Sequence, residues 1–216
     1  MRTMTIKGLG KAIRNPDLVI FRISTSILEK EYEDSIDTSN ILINDLKKVF
    51  ESIGFEKEDL KTSNYVMRPI YENVEVGVIN KRKERQLKGF RLNHDLKIEF
   101  DLDNDKINEV LKCLSDFKDD LDFEIKFSVK NKDTMKKDLI FDATKNARFN
   151  AEILAEASGV ELGDLIKIDF TWDHFDFYSD SHYDCDIISR DYKGYIEFTP
   201  DSIVISDGVL FIWEIK

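Results

Sequence analysis

The most constraining stretch of this 216-residue chain is residues 89–100, where apolar and polar side chains alternate without a break. Phe90, Leu92, His94, Leu96, Ile98 and Phe100 fall on one side, and Arg91, Asn93, Asp95, Lys97 and Glu99 on the other. A period of two belongs to an extended strand with one face buried and the other in water. Such a strand needs a covering layer on its apolar side. Phe123, Ile125, Phe127 and Val129, alternating with Glu124, Lys126, Ser128 and Lys130, predict a second half-buried strand. Leu18 to Leu28 reads the same way, with Val19, Phe21, Ile23, Thr25 and Ile27 on one face. Residues 5–13 form a weaker first strand, followed by the turn Asn15-Pro16-Asp17.

Between these strands the period changes. Ile36, Ser39, Ile43, Leu46, Phe50 and Ile53 recur at helical spacing, and Gly54 stands where a left-handed C-terminal residue is wanted. The strand expected from about Lys61 to Val74 carries Pro69, which cannot donate to a ladder and so marks an edge strand or a bulge. A short helix with Asp103 as N-cap buries Ile107, Val110, Leu111, Leu114 and Phe117. The longest helix is expected over Thr134 to Ser158, capped by Asp133 and closed by Gly159. Its face of Leu139, Ala143, Ala147, Ala151 and Ala155 is thin enough to lie close against a sheet or another helix. Strands at Leu165 to Trp172 and Tyr195 to Ile215 complete the chain, with a bulge expected at Gly208.

The order β-β-α-β-β-α-β-α-β-β predicts an α+β fold of antiparallel sheets with helices on one face. Within it lies a split βαβ, or ferredoxin-like, segment. The chain is read as a single domain over 1–216, with lobes at 18–130 and at 1–17 plus 131–216. A hydrophobic content of 42% supports a core, and only 9 Gly and 3 Pro disfavour low-complexity or many-turned sandwich architectures.

A net charge of −11 disfavours nucleic acid or an anionic membrane as partner. The longest stretch without charge, Thr38 to Asn44, is far too short for a transmembrane helix. Met1 to Gly8 lacks the apolar run of a secretory signal, so a cytoplasmic location and free thiols at Cys113 and Cys185 are expected.

Several short stretches together resemble the SIMPL-domain family. Ile6-Lys7-Gly8-Leu9-Gly10-Lys11 followed by Pro16-Asp17 is similar to the family's opening strand, glycine pair and turn. Phe50 to Gly54, then Asp59-Leu60-Lys61-Thr62, then Pro69-Ile70-Tyr71 resemble its central segment, and Gly89-Phe90-Arg91 stands where the family has Gly-Tyr. The alanine-faced helix followed by Gly159 and Gly163, and the closing Pro200 to Ile215, resemble its C-terminal part. The resemblance implies relatives that are mostly bacterial, often exported, and not known as enzymes. Some exported members are connected with oxidative or envelope stress, and a mammalian relative is named for a kinase association that does not carry over to this chain.

Few residues point to chemistry. Gly8-x-Gly10-Lys11 matches neither a P-loop nor a dinucleotide fingerprint, and is read as a flexible or bulged strand. Lys81, Arg82, Lys83 and Arg85 form the basic cluster, expected at a solvated loop tip or as a contact to an acidic surface. His94 is read as a core residue hydrogen-bonded to its neighbours. Residues 173–186 hold two of the three histidines, one cysteine and five aspartates. His174, Asp176, His182, Asp184 and Cys185 are the candidate metal ligands there, suited to zinc or manganese although their spacing fits no zinc-finger, EF-hand or H-E-x-x-H template. Phe175, Phe177, Tyr178 and Tyr183 of the same segment are alternative interface residues. No catalytic residue and no cofactor is expected. The favoured reading is a non-enzymatic, homo-oligomeric interaction module, with metal or small-ligand binding as the alternative.

Overall fold

A computed structural model describes residues 2–76, 82–117, 121–171, 175–181, 183–184 and 194–216. The elements are β1 (Arg2–Arg14), β2 (Leu18–Glu29), α1 (Tyr32–Ser52), β3 (Lys61–Val76), β4 (Arg82–Asp101), α2 (Asn104–Ser115), β5 (Asp122–Ser128), α3 (Lys132–Ser158), β6 (Leu162–Asp169), β7 (Tyr183–Asp184) and β8 (Ile203–Ile215). Their order is the one read from the sequence, with the two-residue β7 added. The strands form two antiparallel sheets, β1-β8-β6 and β3-β4-β2-β5-β7. By its contacts the chain divides into two compact units: Met1–Leu18, Phe127–Ser181 and Thr199–Lys216 form the first, and Val19–Lys126 and His182–Phe198 the second.

In the second unit β4 lies between β2 and β3, which is the split βαβ arrangement. The alternating face of β4 buries Leu92, His94, Leu96 and Ile98. Residues of α1 at helical spacing bury Ser39, Ile43, Leu46 and Phe50. That stripe begins at Ser35 rather than Ile36, because the small Ser35 hydroxyl bonds the Phe90 carbonyl at 3.0 Å. β3 is an edge strand, as Pro69 requires, and its register with β4 shifts one residue later, between Ile70 and Tyr71. There Gly89 lets the chain pass Glu29: a Cβ on it would stand 2.1 Å from the Glu29 carbonyl oxygen.

The expected strand at Tyr195 does not form, and β8 starts only at Ile203. The backbone of the preceding segment is satisfied by two asparagines one turn apart on α2. Asn108 accepts from the Ile196 N–H at 2.9 Å and donates to its carbonyl at 2.8 Å. Asn104 does the same for Phe198, at 2.9 and 3.3 Å. The two side-chain amides stand in for a neighbouring strand.

In the first unit, α3 lies across the β1-β8-β6 sheet with Met135, Leu139, Ala143, Ala147, Ala151 and Ala155 buried. The N-cap is Asn131 rather than Asp133, since its side chain accepts from the Thr134 N–H at 2.9 Å and leaves Asp133 in the first turn. Gly159 closes the helix in the left-handed conformation, φ 67°. Neither Gly8 nor Gly10 marks a bulge, for β1 pairs with β8 without a register shift from Arg2 to Arg14. Gly208 also sits inside that regular ladder, where the Lys7 side chain crosses it; a Cβ there would lie 2.2 Å from Lys7 Cε.

The glycines of β1 instead make room for α3. A Cβ on Gly8 would stand 2.1 Å from the Ala143 carbonyl oxygen, and one on Gly10 would stand 2.3 Å from that of Leu139. Helix and strand therefore meet backbone to backbone, and polar side chains of α3 reach the outer edge of β1. Asp142 accepts from the Lys11 N–H at 2.8 Å, Asn146 accepts from the Leu9 N–H at 2.9 Å, and Asp138 pairs with Arg14.

Gly8→Ala or Gly10→Ala is expected to destabilise the first unit by about 2–3 kcal/mol through overpacking. Urea unfolding followed by circular dichroism measures this, and an unchanged midpoint would contradict the close approach.

Candidate functional site

Only part of the segment 173–186 belongs to the described residues; His174, His182 and Cys185 lie outside them. Asp176 is exposed, and Asp184 pairs through its backbone with Glu124 as Tyr183 does with Ile125. Among the described residues, no group of three or more His, Cys, Asp or Glu is placed to hold a metal ion. The aromatic residues divide. Phe177 is buried with Ala12, Val129, Met135, Leu139, Ile203 and Ile205, and Phe175 packs against that cluster. Two bonds fix this stretch to the end of β5: Ser128 Oγ donates to the Phe177 carbonyl at 2.7 Å, and the Ser179 N–H donates to that of Phe127 at 2.9 Å. The ammonium groups of Lys132 and Lys136 stand 5.8 and 5.7 Å from the Phe177 ring centre. Tyr178 is half-buried beside Ser128, its antiparallel bridge partner.

Of the basic cluster, the described residues stand on a strand rather than in a loop. Lys81 lies outside the described residues, whereas Arg82, Lys83 and Arg85 belong to β4 and pair in register with Val76, Glu75 and Asn73 of β3. The hairpin ladder extends farther than its hydrophobic pattern, and residues of β3 face its charges. The Arg85 guanidinium lies 4.2 Å from the Tyr71 ring centre, and Lys88 pairs with Glu72 at 3.7 Å. Charges on a solvated ladder paired in this way carry little energy.

His94 is buried as its place on the apolar face of β4 requires. Its Nε2 lies 2.9 Å from Thr62 Oγ1 and its Nδ1 3.4 Å from Ser39 Oγ, with the Tyr65 ring packed edge-on at 5.0 Å. Both ring nitrogens face hydroxyls, so the imidazole is satisfied as a structural group. Burial pushes its pKa below the ordinary value of 6.5; the Asp95 charge opposes this and Lys47 adds to it. Cys113 is half-buried, and burial together with the Asp116 and Glu109 carboxylates pushes its thiol up. A thiol held protonated is a poor nucleophile.

Two surface features of the first unit carried no functional signal in the sequence. One is a cleft of about 440 Å³ between α3 and the β6 side of the sheet. Phe211 and Trp213, stacked at 5.4 Å, contribute to its lining, and the Arg148–Glu152 pair lies at its rim. The only trace in the sequence is the i,i+4 spacing of that pair. The other is β6 itself, an edge strand on which Leu165, Ile166 and Ile168 are all 45–52% exposed. β1, at the opposite edge of the same sheet, has α3 side chains on its outward N–H groups.

The described residues thus define an α+β protein: a split βαβ sheet in one unit, and a three-stranded sheet covered by one long helix in the other. No helix among them is long and apolar enough to cross a membrane. The SIMPL family, described as a protein of unknown function (DUF541), matches residues 4–183, and the chain belongs to it. A search of the curated proteins gave no match.

Because unfolded His94 takes up a proton near pH 6.5 while the folded residue resists it, stability is fully present above that pH and falls as pH drops below it. His94→Gln is expected to flatten this part of the stability–pH curve, read by thermal unfolding between neutral and mildly acidic pH. Parallel curves for the two proteins would remove His94 as the cause.

Proposed function

We propose that this SIMPL domain is a non-enzymatic self-assembly or protein-interaction module. The observation that supports it is the surface of the first unit. On the sheet face opposite α3, Leu9, Ile13, Val204 and Leu210 are 42–61% exposed, and at the β6 edge Leu165 and Ile168, on the α3 side, are exposed as well, as is Ile166. Aliphatic side chains grouped on one sheet favour a binding partner over solvent. Lys83 and Arg85 of the second unit, and the half-buried Phe175 and Tyr178 of the first, are secondary contacts on this reading.

Light scattering of the full chain, from low micromolar concentration upward, is expected to give a mass above that of one chain. A single-chain mass throughout, with no protein recovered by the immobilised domain, would overturn the reading. The competing reading, a metal site on His174, Asp176, His182, Asp184 and Cys185, predicts a stoichiometric metal and a raised unfolding temperature with zinc or manganese. The assembly reading predicts neither, so elemental analysis with a zinc titration separates the two.

A further inference from the structure

The two edges of the β1-β8-β6 sheet differ. At β1, the Leu9 and Lys11 N–H groups point away from β8 and are taken by Asn146 and Asp142, which closes that edge to another strand. The same observation fixes the direction of every backbone group across the sheet. Because Leu9 faces away from its partner Gly208, the N–H and C=O of Gly208 point toward the β6 side. Leu210 and Ile212 share that direction, so they bond Asp169 and Lys167. Ile168, opposite Phe211, alternates with them and aims its own N–H and C=O outward, at an edge with which no described strand pairs.

The sequence around Ile168 complements itself when run antiparallel. With Ile168 opposite Ile168, Lys167 falls opposite Asp169 twice, and Ile166 opposite Phe170 twice. Lys167 and Asp169 share the face turned from α3 and pair within the strand at 3.2 Å. Ile168 is 52% exposed on the other face. Edge strands are ordinarily protected by an inward charge, a proline or a covering element. Here the two charges that flank Ile168, Lys167 and Asp169, are of opposite sign, so a second copy satisfies them rather than being repelled; Asp164, the third charge of the strand, lies outside the self-paired stretch 166–170.

Resting on the self-assembly reading above, we propose that two copies of this chain pair through their β6 edges, antiparallel about a two-fold axis at Ile168, and so join their sheets into one. The occupant is a second copy because residues 166–170 are their own charge complement when run antiparallel, as a two-fold interface requires. In this register Ile168 and its symmetry mate exchange both N–H···O bonds, with their Cα atoms about 5.5 Å apart.

Three variants test the register. Ile168→Pro removes only an outward N–H, leaves the bonds of Lys167 and Asp169 to β8 in place, and is expected to weaken the dimer at least about tenfold. Lys167→Asp sets like charges opposite each other and is expected to weaken it similarly, while Lys167→Asp combined with Asp169→Lys restores it. Ile168→Cys is expected to cross-link two copies on mild oxidation, since a separation of about 5.5 Å suits a disulfide, whereas Val204→Cys on the sheet face is not. Sedimentation velocity and non-reducing electrophoresis read these outcomes, and circular dichroism shows that each variant is folded. A wild-type oligomer that Ile168→Pro and Lys167→Asp leave intact would overturn the β6 pairing and leave self-assembly standing. A wild-type monomer at every concentration would overturn both.

Discussion

The first unit depends on one contact, the meeting of Gly8 and Gly10 with the backbone of α3. A Cβ at either glycine would stand within 2.3 Å of a helix carbonyl oxygen, so strand and helix approach closer than any larger residue allows. Ala143 and Ala147 complete the match from the helix side. At this distance the short side chains of Asp142 and Asn146 reach the strand's outward N–H groups. A helix held farther off by larger residues would need longer arms to do the same. The close approach also sets the helix over β1 and β8, and β6 is left with exposed aliphatic residues and a cleft beside it.

A second device recurs in both units. Helix side chains at i,i+4 spacing bond a neighbouring extended backbone: Asp142 and Asn146 on α3 toward β1, Asn104 and Asn108 on α2 toward Ile196 and Phe198. Each side chain supplies what an added strand would supply, and buried or edge backbone groups need such partners. The result is that one sheet edge is closed without a strand and one extended segment is held without joining a sheet. Which edges stay available for association follows from where these residues stand.

Much of the fold was legible because its signals are local. The alternation from Phe90 to Phe100 identified β4 and its buried face, the spacing of Ile43, Leu46 and Phe50 identified α1, and Pro69 marked an edge strand. What was misread depended on partners remote in sequence. Tyr195 to Pro200 has strand-like composition, yet asparagines about ninety residues earlier take its backbone. Arg82 to Lys88 reads as a charged loop, yet Arg82 to Leu87 pair in register with Tyr71 to Val76 across the hairpin. Gly8 and Gly10 look like flexibility, and the reason for them is a helix more than 120 residues away.

By itself, then, the sequence determined the element order, the buried faces and the thinness of the α3 contact surface, because periodicity and side-chain volume are properties of neighbouring residues. It also determined that His94 would be buried, since an apolar face includes every residue at its period. Only the tertiary structure decided which glycine met which alanine, which strand edge was closed, and which was left open. Those outcomes depend on distances between residues far apart in the chain, and a backbone N–H points the same way in sequence whether it meets water, a carboxylate or another strand.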